Sequence, residues 1–156
     1  MTRHSIVRFL FLAGAIGLLT EAARAAGPYQ FYSVPPCRIV DTRGPVGPTG
    51  GPALPHGAVR NFPITGYCNI PSTAKAAVLN VTVVGPSNYG FLTVWPYNTA
   101  VPPVSTINFD AGESAIANGA IVPVTTDPNF NVSAYCSIAG GTGSLNLILD
   151  VTGYFQ

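Results

Sequence analysis

Between residues 76 and 84 the side chains alternate one for one: Ala77, Leu79, Val81 and Val83 on one side, Asn80 and Thr82 on the other. A period of two is the mark of a half-buried β-strand; an amphipathic helix would repeat its apolar positions every three or four residues. The same alternation returns over 145–154, where Leu145, Leu147, Leu149 and Val151 share a face. Turn formers punctuate the stretch between: Gly85-Pro86-Ser87-Asn88, Asp110-Ala111-Gly112, Asp127-Pro128-Asn129 and Gly140-Gly141-Thr142-Gly143. With 17 Gly and 15 Pro among 156 residues, short strands and many turns are favoured over a helical bundle.

About nine strands are expected, over 29–34, 37–42, 58–65, 76–84, 90–95, 104–109, 114–124, 130–137 and 145–154. Pro35-Pro36 separates the first two, and residues 44–57 form a Pro-rich loop. Strand 90–95 follows 76–84 as its hairpin partner. Strand 114–124 is small and apolar on both sides, which suggests a central strand covered on both faces. Segments 79–85 and 147–153 echo each other, as two similar core strands would. The length suits one domain. The expected fold is all-β: a single antiparallel β-sandwich, with a jelly roll as its candidate topology.

Residues 1–25 read as a secretory signal peptide. Arg3 and Arg8 supply the positive start, 9–19 is uncharged and mostly apolar, and Ala23-Arg24-Ala25 fits a cleavage site before Ala26. Glu21 and Arg24 close the apolar run too early for a spanning helix. The expected mature domain, 26–156, is secreted or held at the cell surface, with no membrane span after cleavage. It keeps Arg38, Arg43, Arg60 and Lys75 against Asp41, Asp110, Glu113, Asp127 and Asp150, a net charge of −1. So few cations argue against nucleic acid as a partner. A net charge near zero favours association with itself or with a surface.

Export places Cys37, Cys68 and Cys136 where disulfides persist. Three single pairings are open, and Cys37–Cys68 is favoured because both lie at strand ends near Pro-rich turns. Cys136 alternates with Phe130, Val132 and Ala134, which fits a buried small hydrophobe; an intermolecular bridge is the alternative. No close Cys pair exists and the mature part has one His, His56, so neither a metal nor a cofactor is expected.

Catalytic patterns are wanting. A Ser or Cys nucleophile would have to use His56, and no Gly-x-Ser-x-Gly elbow occurs. Asp41 and Asp150 lie in apolar strands, which suggests buried acids paired with Arg38 or Arg43. Removing one partner of a buried pair costs roughly 3–5 kcal/mol. A hydrolase built on these two acids is the weakest of three functional readings. Tyr89, Trp95 and Tyr97 are the candidate ligand-contact residues, because aromatic rings stack on sugars and anchor protein contacts. Tyr89 and Tyr97 fall in turns and are expected to be exposed. Trp95 shares a strand face with Phe91 and Thr93, so packing competes with contact there.

Taken together, several pieces resemble a β-rich extracellular module of exported proteins from acidobacteria and actinobacteria. They are Pro36-Cys37-Arg38-Ile39-Val40-Asp41-Thr42-Arg43, Cys68-Asn69-Ile70-Pro71, Leu79-Asn80-Val81-Thr82, Gly90-Phe91-Leu92-Thr93-Val94-Trp95-Pro96, Ala117-Asn118, Val122-Pro123-Val124 and Leu149-Asp150-Val151-Thr152-Gly153-Tyr154-Phe155. The resemblance implies a secreted sandwich and brings no established activity. It also implies that Asp41, Thr42, Arg43 and Asp150, Gly153, Tyr154, Phe155 form the scaffold where first and last strands meet. The expected function is non-enzymatic binding of a cell-surface or environmental polysaccharide. A structural, self-assembling surface protein is the alternative.

Overall fold

A computed structural model describes residues 27–156; the expected signal peptide lies outside them. Nine strands, β1 to β9 in chain order, form two sheets. One sheet runs β1 (Phe31–Asp41), β9 (Ser144–Phe155), β4 (Ala76–Val84), β7 (Ala115–Pro123), with the two-residue β2 (Leu54–Pro55) also on β9. The other runs β3 (Val59–Phe62), β8 (Val132–Ile138), β5 (Gly90–Pro96), β6 (Ile107–Phe109). Every strand pairing is antiparallel. With β2 set aside, four strands pack on four in the order of a jelly roll, in which two Greek keys interlock.

Alternation decides which residues meet between the sheets. Leu79, Val81 and Val83 of β4 pair with Val151, Leu149 and Leu147 of β9, and all six are buried. This accounts for the echo between segments 79–85 and 147–153: they are neighbouring central strands that line one core. Leu92, Val94, Val132, Ala134, Cys136, Ile138 and Phe62 face them from the other sheet. Each large aliphatic side chain so buried contributes about 1.5–3 kcal/mol.

Four expectations about strands change. Segments 29–34 and 37–42 are one strand, β1, whose register shifts between Ser33 and Cys37. Pro35-Pro36 is tolerated because β1 is an edge, where a missing N–H costs no ladder bond. Strands β4 and β5 are not a hairpin; the turn after Gly85 carries the chain from one sheet to the other. Strand β7 is the far edge of the five-stranded sheet and is largely exposed, not a doubly covered centre. Its run of small residues looks alike in either setting. Finally, only Ile107–Phe109 of 104–109 is strand, and the residues before it form a strap described below.

One covalent and two polar devices fix the ends and the long loop. The Cys37–Cys68 disulfide joins β1 to the turn before Ile70, with Cα atoms 5.9 Å apart. Asn131, only 1 % exposed, accepts the Ile64 and Thr65 N–H groups at 2.7 and 2.8 Å and donates to the Thr125 and Asp127 carbonyls. The Arg60 guanidinium, stacked 4.8 Å from the Phe62 ring centroid, donates to the carbonyls of Gly47, Gly50, Gly51 and Pro52 and so ties down the 44–57 loop.

Candidate functional site

The outer face of the four-stranded sheet is set by the odd phase of β5: Phe91, Thr93 and Trp95 point away from the Leu92 and Val94 core side. After β5 the chain folds back over this face as a strap, residues 98–106. The Trp95 Nε1–H donates to the Thr99 carbonyl at 3.1 Å, and the Thr93 hydroxyl donates to the Val104 carbonyl at 2.7 Å. Further along, the Val94 N–H donates to the Thr106 hydroxyl at 2.8 Å and the Thr106 N–H to the Leu92 carbonyl at 2.8 Å. Trp95 is therefore buried, 4 % exposed, although it lies outside the inter-sheet core. The expectation of Trp95 as a ligand-contact residue is corrected: its indole N–H is spent on holding the strap.

The strap stops short of Phe91. There the Phe91 and Tyr135 rings meet with centroids 6.1 Å apart and planes tilted by 53°. Tyr135 lies directly across from Thr93, so Phe91 and Tyr135 are diagonal cross-strand neighbours. Together with the strap's Val101, Pro102 and Val104 they enclose an open groove of about 390 Å³. Ser105 and Asn108 add polar groups to its lining, which includes no charged residue. Its size falls within the range of small-ligand sites, roughly 300–1,000 Å³. Sequence reasoning did not nominate Phe91 or Tyr135 for contact. The signal was present, because both stand at the outward phase of their strands, opposite Leu92 and Cys136.

The other two aromatic candidates lie elsewhere. Tyr97 is half-buried, not exposed: its ring packs on Phe130 at 5.5 Å, beside an Asp127 turn whose carboxylate accepts the Asn129 and Phe130 N–H groups. Tyr89 is exposed as expected, 61 %, on the turn before β5, but it does not line the groove.

On the opposite outer face, β1 and β9 bring the four charged candidates together. Arg38 and Asp150 are direct cross-strand partners. Arg38 donates through Nε to Asp150 Oδ1 at 2.7 Å, through Nη2 to Asp150 Oδ2 at 3.1 Å, and through Nη1 to Asp41 Oδ2 at 3.3 Å. Arg43 adds Nε and Nη2 bonds to Asp41 at 2.8 and 2.6 Å. The pairing is as expected but its burial is not: the arginine side chains are 47–49 % exposed and the aspartates 23–25 %. These pairs face water because both strands turn this phase outward. Hydrogen bonds from the Arg43 guanidinium hold the Asp41 carboxyl down to about 2, against the desolvation that would raise it. The Asp150 carboxylate likewise raises Arg38. Pro36, Cys37, Asn80 and Thr152 join Arg38 and Asp150 around a groove of about 550 Å³.

Two further candidate groups, His56 and Cys136, are engaged or shielded. His56 Nδ1 accepts the Ile138 N–H at 2.9 Å. Cys136 is fully buried, with Sγ beside the Leu54 and Pro55 carbonyls, and burial pushes its thiol up to about 11. An intermolecular bridge through Cys136 would require opening the core.

Comparison with known protein families, with curated proteins and with solved structures finds no match to this chain.

Proposed function

We propose that the chain is an exported, non-enzymatic module that binds an uncharged polysaccharide of a cell surface or of the surroundings, in the groove between Phe91, Tyr135 and the 98–106 strap. The observation that carries this reading is the pair of tilted rings at the floor of an uncharged cleft with polar groups on its rim. Ring faces take the C–H faces of sugars, while Ser105, Asn108 and the Tyr135 hydroxyl supply hydrogen bonds to sugar hydroxyls.

Three features support a binding role over catalysis. Asp41 stays ionised near neutrality and has no proton to give as a general acid. His56 accepts a backbone N–H through Nδ1, and the Cys136 thiol is buried. Export is supported by the signal-like 1–25 segment, and a disulfide is compatible with an oxidising compartment. The resemblance to exported modules of acidobacteria and actinobacteria points the same way.

The test is retention of purified 26–156 on cellulose, chitin and cell walls. Wild type should be retained on at least one of these, and Phe91→Ala and Tyr135→Ala should each weaken retention about tenfold or more, the loss expected of a central aromatic anchor. Equal retention of all three proteins would refute the site.

A second reading, self-assembly, is favoured by one observation. Edge strand β1 carries Pro35, Pro36, a register shift and charges, all of which deter strand addition. Edge strand β7 carries no charge over nine residues, and Ile121 on it is 62 % exposed. Under this reading sedimentation shows concentration-dependent association that Ala117→Lys abolishes; a monomer at every concentration dismisses it.

A further inference from the structure

We infer that the groove around Arg38, Asp150, Asn80 and Thr152 is a second ligand site, for adjacent hydroxyl groups of a neutral sugar. The inference rests on the glycan-binding reading above but uses a different face of the molecule.

The charged lattice leaves donors and acceptors unused. A guanidinium has five N–H donors. Arg38 spends three of them, on Asp150 and Asp41, with about half of its side chain in water. Each Asp150 oxygen accepts one bond and has a further lone pair to offer. Asn80, directly across from Asp150 on β4, donates its amide to Thr82 at 3.4 Å, which leaves its carbonyl oxygen open. Thr152, on the exposed phase of β9, donates its hydroxyl proton to the Val78 carbonyl at 3.5 Å, which leaves the oxygen as an acceptor. Donors and acceptors thus stand side by side around a cleft of about 550 Å³.

This pattern selects a chemical class. Two arginines against two aspartates leave the lattice without net charge, so it offers no field that gathers an anionic polymer. A pair of neighbouring hydroxyls both donates and accepts: one O–H can donate to Asp150 while its neighbour accepts from Arg38. The bonds among Arg38, Asp41, Arg43 and Asp150 already fix the rotamers, so little ordering remains when a ligand arrives. Because the two grooves belong to the outer faces of opposite sheets, a chain that fills both is divalent, a cross-link between polymer strands rather than a one-sided anchor.

The test is a nitrogen-resolved magnetic resonance titration of 26–156 with glucose, mannose, galactose and xylose to near-molar concentration. A glucose methylated at two adjacent hydroxyls serves as the control. The Arg38 Nε–H and the Asn80 and Thr152 amides should shift with a saturable dependence for at least one sugar, and not for the methylated control. Asp150→Asn should weaken that response about tenfold, the loss of a hydrogen bond to a charged group. Thr152→Val, which leaves every ion pair in place, should weaken it by a smaller factor. Shifts confined to Tyr135 and Phe91 would overturn this second site while keeping the first. Shifts at Arg38, Asn80 and Thr152 with none at Phe91 and Tyr135 would uphold the second site by itself. No saturable shift at Arg38, Asn80 or Thr152 with any of the four sugars would overturn it, while retention on the polymers decides the first.

Discussion

The five-stranded sheet meets water with two arginines and two aspartates, while the four-stranded sheet meets it with Phe91 and Tyr135 beside a proline-containing strap. Both faces rest on one core and each carries an open groove, yet they are held by different forces. The charged face is a web of side-chain hydrogen bonds, from β1 to β9 and along the end of β1, partly in water and screened by salt. The aromatic face depends on a covering segment, pinned from below by Trp95 and Thr93, both almost fully buried. Residues that look chemically conspicuous in the sequence therefore contribute little to stability on the first face. On the second, the tryptophan that looks like a ligand contact is a strut.

The largest effect should come from that strut. Trp95→Ala should destabilise the domain by about 3–5 kcal/mol in urea unfolding, the usual cost of removing a large buried ring. Trp95→Phe, which keeps most of the ring, should cost about 0.5–1.5 kcal/mol for the lost hydrogen bond. A Trp95→Ala protein as stable as wild type would make the two faces energetically alike.

Next is the tie behind the charged face. Reducing Cys37–Cys68, or replacing both by Ser, should lower stability by about 3 kcal/mol, as expected for a closed loop of this length. Unfolding with and without reductant measures it directly.

Asp150→Asn should change stability by less than about 1 kcal/mol, because the pair is exposed. A loss in the 3–5 kcal/mol range would mean that the lattice behaves as a buried pair after all.

The smallest effect is one of pH. Asp41 is held near 2 against an ordinary 3.8, so its folded form is favoured above the ordinary value and that advantage fades as pH falls towards 2. The melting temperature should drop over this window, and less so in Asp41→Asn. Phe91→Ala should leave the acid response unchanged, since no carboxylate lines the aromatic groove.

The fold was legible in large part because alternation over 76–84 and 145–154 is long and unbroken, and two such strands must share a core. The pairing of Arg38 with Asp150 was legible once the first and last strands were expected to meet. Its exposure was not: Leu145, Leu147, Leu149 and Val151 put Asp150 on the opposite phase, but the apolar Ile148 on that same phase, itself 4 % exposed, fits a covered face as well as an open one. The small residues of β7 were misjudged for a related reason: lack of bulk fits an edge as well as a covered centre. For the aromatic groove, alternation correctly grouped Phe91, Thr93 and Trp95. No local signal in 98–106 showed that this segment would fold back over two of the three and leave the third open. Tyr135 carries no such signal of its own: Val132, Ala134 and Cys136 mark the inward phase of β8, and a lone aromatic on the other phase fits an open face as well as a covered one.

We propose that the polymer touches the aromatic face and not the tyrosines of the turns. Hydroxyl-radical footprinting of the 26–156 chain, free and bound to the polysaccharide that retains it, tests this most directly. Phe91 and Tyr135 should be protected on binding, with Tyr89 and Tyr97 oxidised equally in both states. Protection of Tyr89 or Tyr97 with Phe91 and Tyr135 unchanged would contradict it.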